Sequence, residues 1–268
     1  MASETDTPGA LAPMKAQVYK DPRPAEYFDR FYERAQRRDP DAVYEIVRLV
    51  VVPYLSIAFR SRSISSEKVP PGGVILAPNH FSFMDHFFAG AFVRRRVQFM
   101  AKSQLFAPPM QWIYTHGGVF PVRRGARDDR AFETARAVLD RGNAIVMYCE
   151  GGRSRTGKLA ERAKPGIGRL ALETGAPIVP IAIHGSHRVR NWKRLRFPKV
   201  TVQYGDPLRF EALQSPTREQ AQRAADEVFS RIKTLYAGLE AHGSKVVRRR
   251  ARAERRARSG RGAAPAST

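Results

Sequence analysis

The sequence holds one cysteine, Cys149, in 268 residues, which excludes an intrachain disulfide framework and any multi-cysteine metal site. It is also poor in acids: 25 Asp+Glu stand against 47 Lys+Arg, a net charge of +22 and a pI near 10.9. An acidic solvating protein is thereby excluded, and an acidic partner is implied: a polyanion, an anionic bilayer surface or an acidic substrate. Long apolar runs are missing as well. The longest near the start, Leu49 to Phe59, is broken by Pro53 and Ser56 and fenced by Arg48 and Arg60. A membrane-crossing helix needs about 20 residues, so this stretch either lies in a membrane interface or is a buried helix. Glu4 and Asp6 stand where an export signal needs a basic start, and no such signal is expected.

What is present is unevenly spread. Residues 1–41 carry a net −1, residues 244–261 a net +8, and the body between them +15. Residues 1–20 lack periodicity and are expected to be a disordered tail, and 244–268 a basic disordered one. From Pro24 to Arg62, apolar residues recur at three- and four-residue steps (Tyr27, Phe28, Phe31, Tyr32; then Ile46, Leu49, Val50, Tyr54). This predicts two amphipathic helices parted near Asp39-Pro40, a membrane-docking segment over 21–62. Short apolar runs follow at Val74–Ala77, Val97–Ala101, Gly118–Val122, Ala144–Cys149, Ile178–Ile183 and Val200–Tyr204, of a length that suits buried strands. Helical patterns separate them: one opened by Asp128 and Asp129 and closed by Gly142, one ending at Gly175, and a long one starting at Ser215-Pro216. The expectation over 63–243 is an α/β domain: a largely parallel central sheet flanked by helices, with the amphipathic helical pair at its N-terminal side.

Chemistry concentrates where the first buried strand ends, in Pro78-Asn79-His80-Phe81-Ser82-Phe83-Met84-Asp85. On a continuous helix, residues five apart lie about 140° apart around the axis, so His80 and Asp85 meet only if His80 sits on a strand-to-helix turn and Asp85 in the first helical turn. The carboxylate would then orient one imidazole nitrogen while the other takes a proton from a hydroxyl. That is the base and orienter of a triad without its nucleophile, and the hydroxyl would come from the substrate. Further on, Gly117-Gly118-Val119-Phe120-Pro121-Val122-Arg123-Arg124 sets two phosphate-shaped guanidiniums after a short strand. Glu150-Gly151-Gly152-Arg153-Ser154 is a loop without bulk at its centre, suited to an anion. Pro180, within Val179-Pro180-Ile181, marks an edge strand or a bulge.

In this order the four segments resemble the motifs of the glycerolipid acyltransferase family, the PlsC-like lysophosphatidic acid acyltransferases. Asn-His-x-Ser-x-x-Asp is matched at Asn79, His80, Ser82 and Asp85; Gly-x-x-Phe-x-x-Arg at Gly117, Phe120 and Arg123. The third motif, usually Glu-Gly-Thr-Arg-Ser, is matched at Glu150, Gly151, Arg153 and Ser154 with Gly152 in place of threonine, and the fourth at Val179, Pro180 and Ile181. The resemblance spans about residues 45–210. It implies transfer of a fatty acyl group from acyl-CoA or acyl carrier protein to the free hydroxyl of 1-acylglycerol 3-phosphate, giving phosphatidic acid. His80 and Asp85 would be catalytic, no metal or cofactor is expected beyond the thioester co-substrate, and Arg123, Glu150 and Arg153 would help hold the acceptor phosphate. Partners would be an anionic phospholipid membrane, met peripherally or monotopically at its cytoplasmic face, the lysophospholipid and the acyl donor. Another glycerolipid or glycolipid acceptor would suit the same motifs.

Three rivals are visible. Cys149 as a covalent acyl carrier is set against its being a small buried hydrophobe. Gly152 to Lys158 imitates a phosphate-binding P-loop, but Leu159 stands where the magnesium-ligating hydroxyl belongs. The run Arg188–Lys199 interleaves six cations with Trp192, Leu195 and Phe197, which suits stacked bases in a nucleic-acid binder and equally an anionic bilayer. His86 beside Asp85 could share a metal with His80, though no further ligand stands at a suggestive spacing. Ser82 could cap a helix.

Overall fold

The computed structural model describes residues 21–123, 128–154, 156–189 and 197–261, with side chains to 258. Two expected tails, 1–20 and 262–268, lie outside the described residues, as do Arg124, Arg155 and the 190–196 centre of the basic run.

Among the described residues seven strands form one sheet in the order β1-β7-β6-β2-β5-β3-β4. The strands are β1 (Arg62–Ile64), β2 (Val74–Pro78), β3 (Val97–Lys102), β4 (Val119–Val122), β5 (Ala144–Val146), β6 (Ile178–His184) and β7 (Thr201–Tyr204). All neighbours are parallel except β6 and β7. The helices are α1 (Asp29–Arg37), α2 (Ala42–Ala58), α3 (Asp85–Ala91), α4 (Met110–His116), α5 (Asp129–Asp140), α6 (Gly166–Thr174) and α7 (Arg218–Arg261).

Burial on both faces explains why the central strands read as unbroken apolar runs. In β2, Val74 and Leu76 join Val97, Val146, Val179 and Ile181 beneath Leu55, Phe59 and Phe88. Alternate residues Ile75 and Ala77 point the other way, with Ile145 and Ile178 of the neighbouring strands, to Val138, Leu170, Val228 and Ile232 from α5, α6 and α7. The α/β architecture with a largely parallel sheet is as the sequence predicts.

Several boundaries differ. The long helix starts at Arg218, because the cap is Thr217 and not Ser215: Thr217 Oγ1 accepts the Gln220 N–H at 3.2 Å while Gln220 Oε1 accepts the Thr217 N–H at 2.8 Å, a reciprocal capping box. The stretch from 244 to 261, expected to be disordered, continues α7 as a helix beyond Gly243, which breaks it with φ 68° and ψ 158°. Val247 and Ala251, one turn apart, dock it on Ile64, Phe81 and Tyr236, an anchor that its charge-dominated composition hides. β5 ends at Val146, short of Cys149, because its pairing with β2 ends at Leu76–Val146. The short β1 and α4 have too few residues to show a period, and β1 crosses the boundary expected at residue 62.

Pro180 lies in an interior strand, not at an edge, and the bulge explains it. Ile178 bridges Leu208 while Ile181 pairs with Tyr204, so the β7 side carries one residue more than β6 in between. The slip removes the ladder bond that a proline cannot donate.

The N-terminal pair divides into unlike halves. α1 is part of the body: Phe28, Phe31 and Tyr32 are buried with Phe106 and Ala131, each such side chain stabilising by about 1.5–3 kcal/mol. Tyr32 Oη also donates to Asp128 Oδ2 at 3.0 Å. The expected docking role does not fit this helix. α2 does present an uncovered apolar stripe, with Ile46, Leu49, Val50 and Ile57 between 61% and 78% exposed.

Candidate active site

The site is built at the carboxyl ends of the parallel strands, where open α/β sheets bind ligands. β2 stops at Pro78 and α3 starts at Asp85, so Asn79–Met84 form the connecting turn. In that turn His80 Nδ1 lies 3.1 Å from Asp85 Oδ2, the meeting expected from the sequence. The same oxygen accepts the backbone N–H groups of Phe81 and Ser82, each at 2.6 Å. Two fixed amides thus hold this oxygen as an acceptor, which assigns Nδ1 as the donor. Nε2 is then the basic nitrogen. His80 is 3% and Asp85 0% exposed, so water competes little for this pair.

The neighbouring residues position the pair. Asn79 is fully buried. Its Nδ2 donates to the Ile183 carbonyl at 3.2 Å and its Oδ1 accepts the Ile183 N–H at 2.7 Å. The side chain therefore stands in for a strand peptide bonded to β6. It holds the turn against β6. Ser82 Oγ accepts the Met84 N–H at 3.2 Å within the turn, while the cap position of α3 is Met84 itself, without a side-chain cap.

The Glu150–Ser154 loop grips His80 by its backbone. Glu150 Oε2 accepts the His80 N–H at 2.7 Å, and the His80 carbonyl accepts the Ser154 N–H at 2.8 Å. Glu150 Oε1 takes the Ala160 N–H at 3.2 Å. Burial pushes the Glu150 carboxyl up to about 7, against the pull of its two amide donors. Its observed contacts brace the backbone of His80 against that of Ala160. Gly151 turns the loop at φ +67°, open to glycine at little cost. Arg153 is half-buried in the loop.

The remaining motif residues are scattered. Gly117 ends α4, where a Cβ would meet the Ile113 carbonyl oxygen at 2.8 Å. Phe120 belongs to the core, and Pro180 is buried within β6. Arg123 follows β4, three strand spacings or about 14 Å from β2. Its N–H donates to Asp128 Oδ2 at 2.6 Å and its half-buried guanidinium is 6.0 Å from the Phe28 ring centre.

Two residues that the motifs do not mark touch the base. The Tyr148 ring stacks on His80 with centroids 3.9 Å apart and an interplanar angle of 20°. His86 Nδ1 lies 2.9 Å from Tyr148 Oη, and the His86 and His80 ring centroids are 5.2 Å apart. Beyond His86 opens an apolar cavity of about 510 Å³, lined by Val47, Val51, Phe87, Ala91, Ile113 and Val119 among others.

The rivals find no support in this geometry. Cys149 is fully buried in the core, and burial together with the Glu150 charge holds its thiol well above the ordinary range. The P-loop-like segment leads into no helix at Leu159; α6 begins only at Gly166.

Residues 60–184 match the family model described as Acyltransferase. The match takes in somewhat under half of the chain. The chain is 30% identical over 142 residues to the 1-acyl-sn-glycerol-3-phosphate acyltransferase of Cocos nucifera, covering 49% of this chain and 44% of that protein. To the enzyme of the same name from Borreliella burgdorferi it is 32% identical over 131 residues, 46% of this chain and 50% of that protein. The chain thus spans about half the length of these curated relatives. Among solved structures, the 1-acyl-sn-glycerophosphate acyltransferase PlsC of Thermotoga maritima shares the fold with a TM-score of 0.59 at 23% identity, over 81% of this chain and 90% of that one. The acyltransferase match runs from Arg60 to His184, so it takes in the Asn79–Met84 turn, the Glu150 loop and β6 while stopping short of α7.

Proposed function

We propose that this protein is an acyltransferase that moves a fatty acyl group from acyl-CoA or acyl carrier protein to the free hydroxyl of 1-acylglycerol 3-phosphate, giving phosphatidic acid. The observation that carries the reading is the buried His80–Asp85 pair beside an apolar cavity wide enough for a lipid chain. His80 Nε2 takes the proton of the acceptor hydroxyl, whose oxygen attacks the thioester carbonyl. Asp85 stabilises the imidazolium that results. Collapse of the tetrahedral intermediate expels the thiolate, which regains the proton from His80. A thiolate leaves without a metal or a strong acid, so the reaction needs no cofactor beyond its two substrates.

Arg153, in the loop that braces His80, and Arg123, on the far side of β5 and β3, are the proposed phosphate partners. The relatives named above act, by their names, on 1-acylglycerol 3-phosphate, which supports that acceptor. No helix among the described residues is long and apolar enough to cross a membrane. The α2 stripe suits peripheral attachment, here assigned to the cytoplasmic face of an anionic membrane. The deciding experiment measures thiol release from acyl-CoA with a panel of lysophospholipid and glycerol 3-phosphate acceptors, beside His80→Ala. Release that depends on 1-acylglycerol 3-phosphate and falls at least about a hundredfold in the variant is expected; release indifferent to acceptor or to His80 would sink the proposal.

A further inference from the structure

Three distant stretches of chain meet at the end of α2. The Phe59 carbonyl accepts the Val200 N–H at 3.2 Å, and the Val200 carbonyl accepts the Arg62 N–H at 3.2 Å. Arg60 Nη2 donates to the Phe197 carbonyl at 3.0 Å. Lys199 Nζ donates to Ser244 Oγ at 2.9 Å, bringing in the helix beyond Gly243. Five cations are gathered this way: Arg60, Arg62, Lys199, Lys245 and Arg248. Partial burial, and then the charges of the other four, hold the Lys199 ammonium below its ordinary range.

Among the described residues none of the five makes an ion pair. Two acids that meet α7 nearby are already engaged: Asp206 by Lys68 at 3.0 Å and Arg258 at 3.5 Å, Glu67 by Arg255 at 3.8 Å. Like charges assembled without a counter-charge repel, so the arrangement calls for an anion from outside. Arg60 adds a second sign. It holds φ +44°, in the left-handed region where a helix commonly ends on glycine. Three residues before it, Ile57 closes the exposed apolar stripe of α2. Apolar side chains leading to a block of unpaired cations match the depth profile of an anionic bilayer, acyl chains beneath and phosphates above.

We propose that Arg60, Arg62, Lys199, Lys245 and Arg248 form a binding site for the phosphate groups of anionic phospholipids at the bilayer surface on which α2 lies. The proposal rests on the membrane-surface reading above and adds a headgroup site at the same end of the sheet as the His80 turn, across β6 and β7 from it. The same phosphate chemistry could be offered by a nucleic acid, which lacks anything for the α2 stripe to bury.

The test floats the full chain with phosphatidylcholine vesicles, with and without phosphatidylglycerol, over a range of salt. Each cation near an anionic surface contributes about fivefold to partitioning. The combined variant Arg62→Gln, Lys199→Gln and Arg248→Gln should therefore lose on the order of a hundredfold in binding to anionic vesicles. It should keep its binding to neutral ones and its turnover of water-soluble substrates. Arg60→Gly should bind anionic vesicles about fivefold less while its thermal midpoint holds or rises, since glycine relaxes the backbone. Unchanged anionic binding in both variants overturns the site. If the wild type binds anionic and neutral vesicles alike, and Leu49→Glu with Ile57→Glu abolishes both, membrane attachment stands and the headgroup site falls. Binding to neither vesicle overturns both. Retention on duplex DNA at an ionic strength where anionic vesicles are not bound assigns the cluster to nucleic acid and overturns the proposal.

Discussion

Replacing Glu150 by glutamine separates the charge of the brace from its shape. In the native fold the carboxyl titrates at about 7, from an ordinary 4.5, because burial penalises its anion. The folded state therefore holds this proton more tightly than the unfolded chain does. The stabilisation is full below about pH 4.5 and is lost as the pH rises through about 7. At about 1.4 kcal/mol for each tenfold difference in proton affinity between the folded and unfolded chain, Glu150 costs the wild type roughly 2–3 kcal/mol between pH 5 and pH 8. Glu150→Gln has no such slope. It does have a fixed penalty, because its single oxygen cannot serve both the His80 and the Ala160 N–H groups. One buried donor is left facing an amide NH2, at about 1–3 kcal/mol. Urea unfolding at pH 5, 6, 7 and 8 should show the variant clearly less stable at pH 5, with the deficit closing or reversing by pH 8. The carboxylates held low, such as Asp206 and Asp226, titrate below this window, and the depressed His184 is common to both proteins. The difference between the curves thus isolates one residue. Parallel curves would refute the reasoning.

Three further outcomes are expected. Asp85→Asn, which keeps the shape but loses the charge that supports the imidazolium, should lower kcat at least about a hundredfold with KM for the acyl donor little changed; a loss confined to KM would remove Asp85 from the chemistry. Cys149→Ser should retain acyl transfer at a cost in stability of about 1–3 kcal/mol for a buried hydroxyl, read by thermal denaturation and thiol release together, and complete inactivation of a folded variant would restore the covalent route. Narrowing the cavity with Val51→Phe or Ala91→Leu should move the donor preference to shorter chains, each excluded methylene costing about 0.8 kcal/mol or about fourfold in kcat/KM. A chain-length profile identical to wild type would show that the acyl group lies elsewhere.

The parts of the site that are legible in the sequence are those whose partners are near in the chain. His80 and Asp85 are five residues apart, and a turn between strand and helix is enough to bring them together. Burial on both faces makes β2, β3 and β6 legible as apolar runs. Asn79 cannot be read in the same way, because its partner Ile183 is 104 residues on and the bond needs β6 beside β2. The motif position suggests a ligand contact where the fold uses a rung of the sheet. Glu150 is 70 residues from the amide it braces, and nothing in its local sequence marks it as a brace. Tyr148 hides inside an apolar run that reads as strand; its stacking on His80 follows from β5 ending at Val146. The helix beyond Gly243 reads as a disordered tail because a segment of arginines shows almost no apolar period. Val247 and Ala251 are too little to weigh against that composition.

The grip of Glu150 and Ser154 on both ends of the His80 peptide has a practical consequence for anyone building hybrids from this family. The base has no backbone of its own to rest on; its amide and carbonyl are both lent to another segment. Exchanging residues 79–85 alone would import a histidine cut to fit a different clasp. Exchanging 150–160 alone would leave the resident histidine unclasped. The two pieces make one transferable part, and a graft that moves them together is the smallest one expected to remain competent.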